Sequence, residues 1–106
     1  MANTKLKGYP GPTAAGAMEI IFDHDGPASY TTGGETLTAA SLGYKNIHCV
    51  TASASDNGLL MVLPRASVKG ITPSIKLVWV TIVGGVEIAN AAPLNARFCR
   101  IRAVVS

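Results

Sequence analysis

Glycine and proline interrupt this chain so often that every apolar run in it is short. Eleven glycines and six prolines fall among 106 residues. They gather with Asn, Asp and Ser between runs rich in Val, Ile, Leu and Thr. Glycine supplies positive-φ corners and proline removes a backbone donor, so each cluster ends the element before it. Short β-type runs between such signals predict strands joined by tight turns, and hence an all-β sandwich or barrel.

Glu19-Ile20-Ile21-Phe22 reads as the first such run, ended by turn chemistry at Asp23-His24-Asp25-Gly26-Pro27. Tyr30-Thr31-Thr32 reads as a short strand before Gly33-Gly34. Leu37 to Gly43 carries the helical signal of the chain, about one turn, with Thr38 placed to cap it and Gly43 to end it. Lys45 to Ala52 and Leu59 to Leu63 read as strands either side of the Asp56-Asn57-Gly58 hairpin turn, the second stopped by Pro64. Residues 64–74 read as a connecting loop and Ser74 to Val83 as the longest strand. Gly84-Gly85 then turns the chain into Val86 to Ala89, Ala92 to Asn95 turns it again, and Arg97 to Val105 closes it. The expected fold is a small antiparallel β-sandwich or jelly-roll-like barrel. One β domain spans 17–106, behind an extended N-terminal arm at 1–16. The arm holds Lys5 and Lys7, then Gly8-Tyr9-Pro10-Gly11-Pro12, and shows no periodicity. It is expected to lie free, across a partner, or folded back on the domain.

Composition narrows the class. Apolar residues make up 48% of the chain and charged residues 14%, against about 25% charged in an ordinary soluble domain. A disordered chain shows the opposite balance. A spanning helix needs about 20 consecutive apolar residues, and the most apolar run, Leu77 to Val86, is broken by Thr81, Gly84 and Gly85. The basic start is followed by Gly and Pro rather than an apolar signal core, so cytoplasmic production is expected. Cys49 and Cys99 both sit in strand-like runs. They are expected as buried free thiols, with a disulfide left open if their strands are neighbours.

Alternation locates the excess apolar surface. Along the last strand Cys99, Ile101, Ala103 and Val105 share one face, expected to be core, and Phe98, Arg100, Arg102 and Val104 share the other. The outward arginines either stand in solvent or meet something acidic. In the run at 76–83, Leu77, Trp79 and Val83 lie with Thr81 on one side, and Val78, Val80 and Ile82 fill the other. Residues 59–63 are likewise apolar on both sides. Strands of a small antiparallel fold normally keep one wet face, and monomers seldom expose large apolar patches. A cover is therefore expected, either a neighbouring subunit, a long loop or the arm, and a self-associated or scaffold-bound state follows.

No residue pattern points to catalysis. Asp23-His24-Asp25 could hold a metal or pair an acid with a base, but the following Gly-Pro favours a turn. Cys49, Cys99, His24 and His48 lack the short paired spacing of a zinc site, and adjacent His48 and Cys49 would face opposite sides of a strand. Neither a nucleophile elbow nor a phosphate-binding loop occurs. A non-enzymatic protein without cofactor or metal is expected. The main rival is a small β-barrel nucleic-acid-binding module, using Arg97, Arg100 and Arg102 with Lys5 and Lys7. Against it, the aromatics Tyr9, Phe22, Tyr30, Tyr44, Trp79 and Phe98 are scattered and form no recognised RNA-binding motif.

Tyr30-Thr31-Thr32-Gly33-Gly34-Glu35-Thr36-Leu37-Thr38-Ala39-Ala40-Ser41-Leu42-Gly43-Tyr44 resembles the Y-x-T-G-G-x-x-L-T-x-x-x-L-G stretch of small virion structural proteins of tailed bacteriophages. Val86-Glu87-Ile88-Ala89 and Pro93-Leu94-Asn95-Ala96-Arg97-Phe98 through Ala103 are similar to the later elements of those proteins, so the resemblance spans 28–105. The chain departs from them in Cys99 and Arg100 after the phenylalanine, and in Met and Leu rather than aromatics at 59–63. The resemblance implies a capsid decoration, or cement, protein. Such a protein is a compact β fold that binds the outside of the shell as a dimer or trimer and has no catalytic residues. The implied partners are the major capsid protein and further copies of the chain, with no membrane and no nucleic acid. The implied location is the virion surface, after assembly in the host cytoplasm. Another virion role, in a tail or in head completion, fits the same pattern. Candidate contact residues are Lys5, Lys7, Tyr9, Trp79, Arg97, Arg100 and Arg102, with Trp79 the anchor if it faces outward. Many weak contacts across several capsomers would sum through multivalency.

Overall fold

The computed structural model describes residues 3–5, 11–12 and 17–106, and the first of these stretches already belongs to a sheet. The strands are β1 (Asn3–Lys5), β2 (Gly11–Pro12), β3 (Met18–Asp25), β4 (Glu35–Thr38), β5 (Ile47–Ser55), β6 (Leu60–Arg65), β7 (Ser74–Thr81) and β8 (Phe98–Val105). They form one antiparallel sheet in the order β1-β3-β8-β5-β6-β7-β4, with β2 also pairing with β3. The sheet curls into a half-barrel, which bears out the expected all-β class. It turns its corner at β5, where a register shift between Ala52 and Ser55 precedes the one β5–β6 pair, Ala54 with Met61. Such a bulge bends a strand and lets it serve both halves of a curled sheet.

Alternation fills the concave side. Ile20 and Phe22 of β3, Leu77 and Trp79 of β7, and Cys99, Ile101, Ala103 and Val105 of β8 are all buried in one core cluster. The last strand therefore has the inward set read from its sequence. Asn3, Thr4 and Lys5 pair with His24, Asp23 and Phe22, and Gly11 and Pro12 pair with Glu19 and Met18. These five residues of the expected arm thus lie along the edge of the domain itself.

Several local expectations are corrected. Asp23, His24 and Asp25 are strand, not turn. They pair with Arg100, Cys99 and Phe98, and the turn starts at Gly26. Tyr30 to Thr32 is a loop rather than a strand, and residues 35–38, half assigned to a helix, form β4 on the free side of β7. The expected single helical turn survives as a 3-10 turn at Ala40–Leu42, ended by Gly43 in the left-handed conformation. Pro64 lies inside β6 opposite Leu77. The β5–β6 pairing stops at Met61, so at Pro64 the strand has a free edge where a missing N–H costs no ladder bond. Gly84 and Gly85, at φ of 84° and 62°, turn the chain back as expected. The return pairs only through an isolated bridge between Val80 and Glu87.

Gly26 is fixed by close approach. A Cβ there would lie 2.4 Å from the Leu94 carbonyl oxygen, while the Gly26 N–H donates to the Arg97 carbonyl at 2.9 Å. The loop at 94–97 therefore packs directly on the end of β3, and no larger residue fits between them.

Candidate functional site

A buried polar cluster spans the half-barrel. His24 of β3 is fully buried, with Nε2 2.5 Å from Glu35 Oε1 on β4 and Nδ1 2.6 Å from Asn3 Oδ1 on β1. The Trp79 indole N–H donates to the same Glu35 oxygen at 3.0 Å. The imidazole thus bridges Asn3 and Glu35 across the core, with a polar side-chain partner at each ring nitrogen. Glu35 Oε2 is buried without a hydrogen-bond partner among the described residues. Such a cluster fixes which strands face each other, because a buried polar group left unpaired is costly.

A second polar group completes the free edge of β7. The Trp79 backbone N–H donates to the Tyr30 hydroxyl at 3.2 Å, and that hydroxyl donates to Glu87 Oε2 at 2.8 Å. Glu87 also accepts from the Gly33 N–H at 2.7 Å. The backbone bond from Gly33 and the hydroxyl of Tyr30 hold the Glu87 carboxyl below its ordinary range. Burial, together with that bond to Glu87, pushes the Tyr30 phenol up to about 12. The loop at 30–34 and the return at 86–88 thus cover what β4 leaves open on β7.

The predicted contact residues divide sharply. Trp79 is 0% exposed, so the condition on which it would anchor a partner, an outward side chain, is not met and it is a core residue. It shares the inward face of β7 with Leu77, and Glu35 gives its N–H a buried acceptor. Arg100 binds Asp23 at 2.9 Å, Arg102 binds Glu19 at 2.6 Å, and Arg97 lies 3.3 Å from Asp56. The hydrogen bonds that Arg100 donates to Asp23, and the charge of that carboxylate, raise the Arg100 pKa further. The outward arginine stripe therefore meets the acidic residues of β3 across the ladder and forms a charge-matched surface. Arg97, Arg100 and Arg102, three of the cations named in the nucleic-acid reading, are thus each matched to an acid within the chain. Lys5 pairs with Phe22 through its backbone, while Lys7 and Tyr9 lie outside the described residues.

The thiols also separate. Cys99 is buried as expected, and burial followed by the charges of Glu35 and Asp23 pushes its pKa to about 12. Cys49 is exposed, which corrects its expected burial. β5 and β8 are neighbours, but Cys49 stands opposite Val104 and Cys99 opposite Ser55, so both remain free. A register shift between Ile47 and Cys49 also breaks the simple alternation expected of His48 and Cys49. Both line a cavity of about 150 Å³ with Arg65, and His48 Nε2 also lies 2.9 Å from the Ser106 hydroxyl at the surface. No carboxylate lines this cavity. Among the described residues no three His, Cys, Asp or Glu side chains gather to hold a metal, and no helix is long and apolar enough to cross a membrane.

Several large apolar side chains stand exposed among the described residues. Val83, Leu59 and Val86 are 87%, 64% and 63% exposed, and their segments lie at one end of the β6–β7 ladder. There the Ile82 N–H donates to the Leu59 carbonyl at 3.1 Å, and the Thr81 N–H to that of Val86 at 2.8 Å. This apolar end is the site that sequence reasoning approached through the two strands without a polar face. Searches of protein families, of curated proteins and of solved structures return no match to the chain.

Proposed function

We propose that this chain is a non-enzymatic structural subunit that binds and stabilises the outside of a bacteriophage capsid. The observation that carries the proposal is the apolar end formed by Leu59, Val83 and Val86. Large apolar side chains exposed together are stable in water only when another surface covers them for most of the protein's life. The residue resemblance over 28–105 supplies the kind of surface, a virion shell. A rigid curled sheet suits the task, since docking a preformed face costs less conformational entropy than ordering a flexible one. Self-association as a dimer or trimer belongs to the same proposal, with the major capsid protein as the second partner.

The test is location. Gold-labelled antibody against the chain should decorate the outer surface of intact particles in electron micrographs. Purified protein added to shells that lack it should bind them and raise the temperature at which they come apart. Label confined to tails or to the particle interior, or shells whose disassembly temperature does not move, would refute the proposal.

A further inference from the structure

The outward positions of β6 and β7 form a second surface, next to the apolar end and different in charge. Leu63 pairs with Val78, and Met61 with Val80, in the antiparallel ladder. Leu63 is exposed, Met61 and Val78 are half-buried, and Val80 is buried. The next pair on this face is Arg65 opposite Lys76, both exposed. Like charges directly opposite one another destabilise a ladder. The fold does not relieve them. Arg65 donates to the Gly33 carbonyl at 3.2 Å and Lys76 to the Thr36 hydroxyl at 2.7 Å, both neutral acceptors. Among the described residues neither forms an ion pair with a carboxylate. Glu87, whose carboxyl feels the charge of Arg65, is already held by Gly33 and Tyr30. The β3–β8 face is the reverse case, with Arg100 and Arg102 each matched to an acid.

We infer that the outer face of β6 and β7 docks a protein surface that is apolar at its centre and carries carboxylates opposite Arg65 and Lys76. The inference rests on the proposed docking role and names the face and the chemistry of its partner. Charge excludes a second copy meeting this face across a twofold axis, since that would set Arg65 and Lys76 against themselves. Geometry excludes an anionic membrane. The apolar end would enter first, and Lys76 is six residues from Ile82, about 20 Å along a strand. The charged residues nearest that end in sequence are acidic, Asp56 and Glu87.

The experiment places a photocrosslinking residue, p-benzoylphenylalanine, at Leu63 or at Arg102, in cells that assemble the particle. Position 63 should form an adduct with a protein other than this chain, mapped by mass spectrometry to a segment bearing Asp or Glu, and position 102 should form none. Arg65→Glu with Lys76→Glu, checked for native circular dichroism, should cut the adduct at 63 by about tenfold or more at physiological salt. Arg65→Lys with Lys76→Arg should preserve it. An adduct at 63 only with a second copy, an adduct unchanged by charge reversal, or flotation with phosphatidylglycerol-rich vesicles that reversal abolishes would overturn the inference. A crosslinked acidic protein that is absent from the particle would uphold this face and defeat the capsid proposal. A capsid adduct from 102 but not from 63 would do the opposite.

Discussion

His24 Nε2 lies 2.5 Å from Glu35 Oε1, although their strands, β3 and β4, stand near opposite ends of the sheet order. That contact is possible only because the sheet curls, and it ties the two ends of the curl across the core. Removing the carboxylate should therefore be expensive. Glu35→Ala leaves a buried His24 and the Trp79 indole N–H without an acceptor, at a cost of about 3–5 kcal/mol. Glu35→Gln keeps one acceptor oxygen and should cost less. Replacing both members, His24→Phe with Glu35→Leu, should cost less than the sum of the single changes. Urea unfolding of the parent protein, His24→Phe, Glu35→Leu and the double variant measures this, and strictly additive losses would refute the coupling.

Two glycines give a steric prediction with an internal control. At Gly26 an added methyl meets the Leu94 carbonyl oxygen at 2.4 Å, whereas at Gly58 it meets nothing within 4 Å but sits at φ +72°. Gly58→Ala should cost about 1–2 kcal/mol, the strain of a left-handed residue. Gly26→Ala should cost more, about 3 kcal/mol or beyond, because backbone must move. Thermal melts of the two variants decide it, and equal losses would mean that the 94–97 loop yields freely.

Alkaline conditions should unfold the protein through Cys99 and Tyr30. Burial raises the thiol from its ordinary 9 to about 12 and the phenol from its ordinary 10 to about 12. Each group holds its proton more tightly when folded than when unfolded. The stability it contributes is complete below its ordinary pKa and is lost as pH rises from there towards 12. In that window each costs about 1.4 kcal/mol per pH unit. The urea midpoint should start to fall near pH 9, and Cys99→Ala should delay the fall to near pH 10. Tyr30→Phe should flatten the later part of the curve while lowering stability at neutral pH, since Trp79 and Glu87 each lose a partner.

The sequence was most legible where one strand settles its own faces. In β8, Cys99, Ile101, Ala103 and Val105 alternate with Arg100, Arg102 and Val104, and burial follows that period. It was least legible where a partner strand decides. Asp23-His24-Asp25 has turn composition, yet cross-strand pairing with Phe98, Cys99 and Arg100 keeps it extended. The acceptor that lets His24 face inward comes from Glu35, eleven residues later. The period itself held a hint, because Ile20, Phe22 and His24 are in phase. Trp79 could not be placed without Glu35, and the partners of the arginine stripe could not be named without the β3–β8 register. For the candidate site, the two-sided apolar character of 59–63 and 76–83 marked the right strands. Which side faces out depends on the curl of the whole sheet.

The two thiols should report the fold directly. Cys49 is exposed at the wall of a cavity, whereas Cys99 is 1% exposed, with its pKa pushed up to about 12. Thiolate is the reactive form, so Cys99 is protected twice, by access and by protonation. Titration of the native protein with an aromatic disulfide reagent near pH 8 should release one equivalent quickly, and Cys49→Ser should abolish it. The second equivalent should appear only with unfolding, in step with the loss of Trp79 fluorescence as urea rises. Cys99 pairs with His24 on one side and Ser55 on the other, so its exposure requires β8 to leave the centre of the sheet. Two equivalents released rapidly from the folded protein would mean that β8 separates from a neighbour without global unfolding.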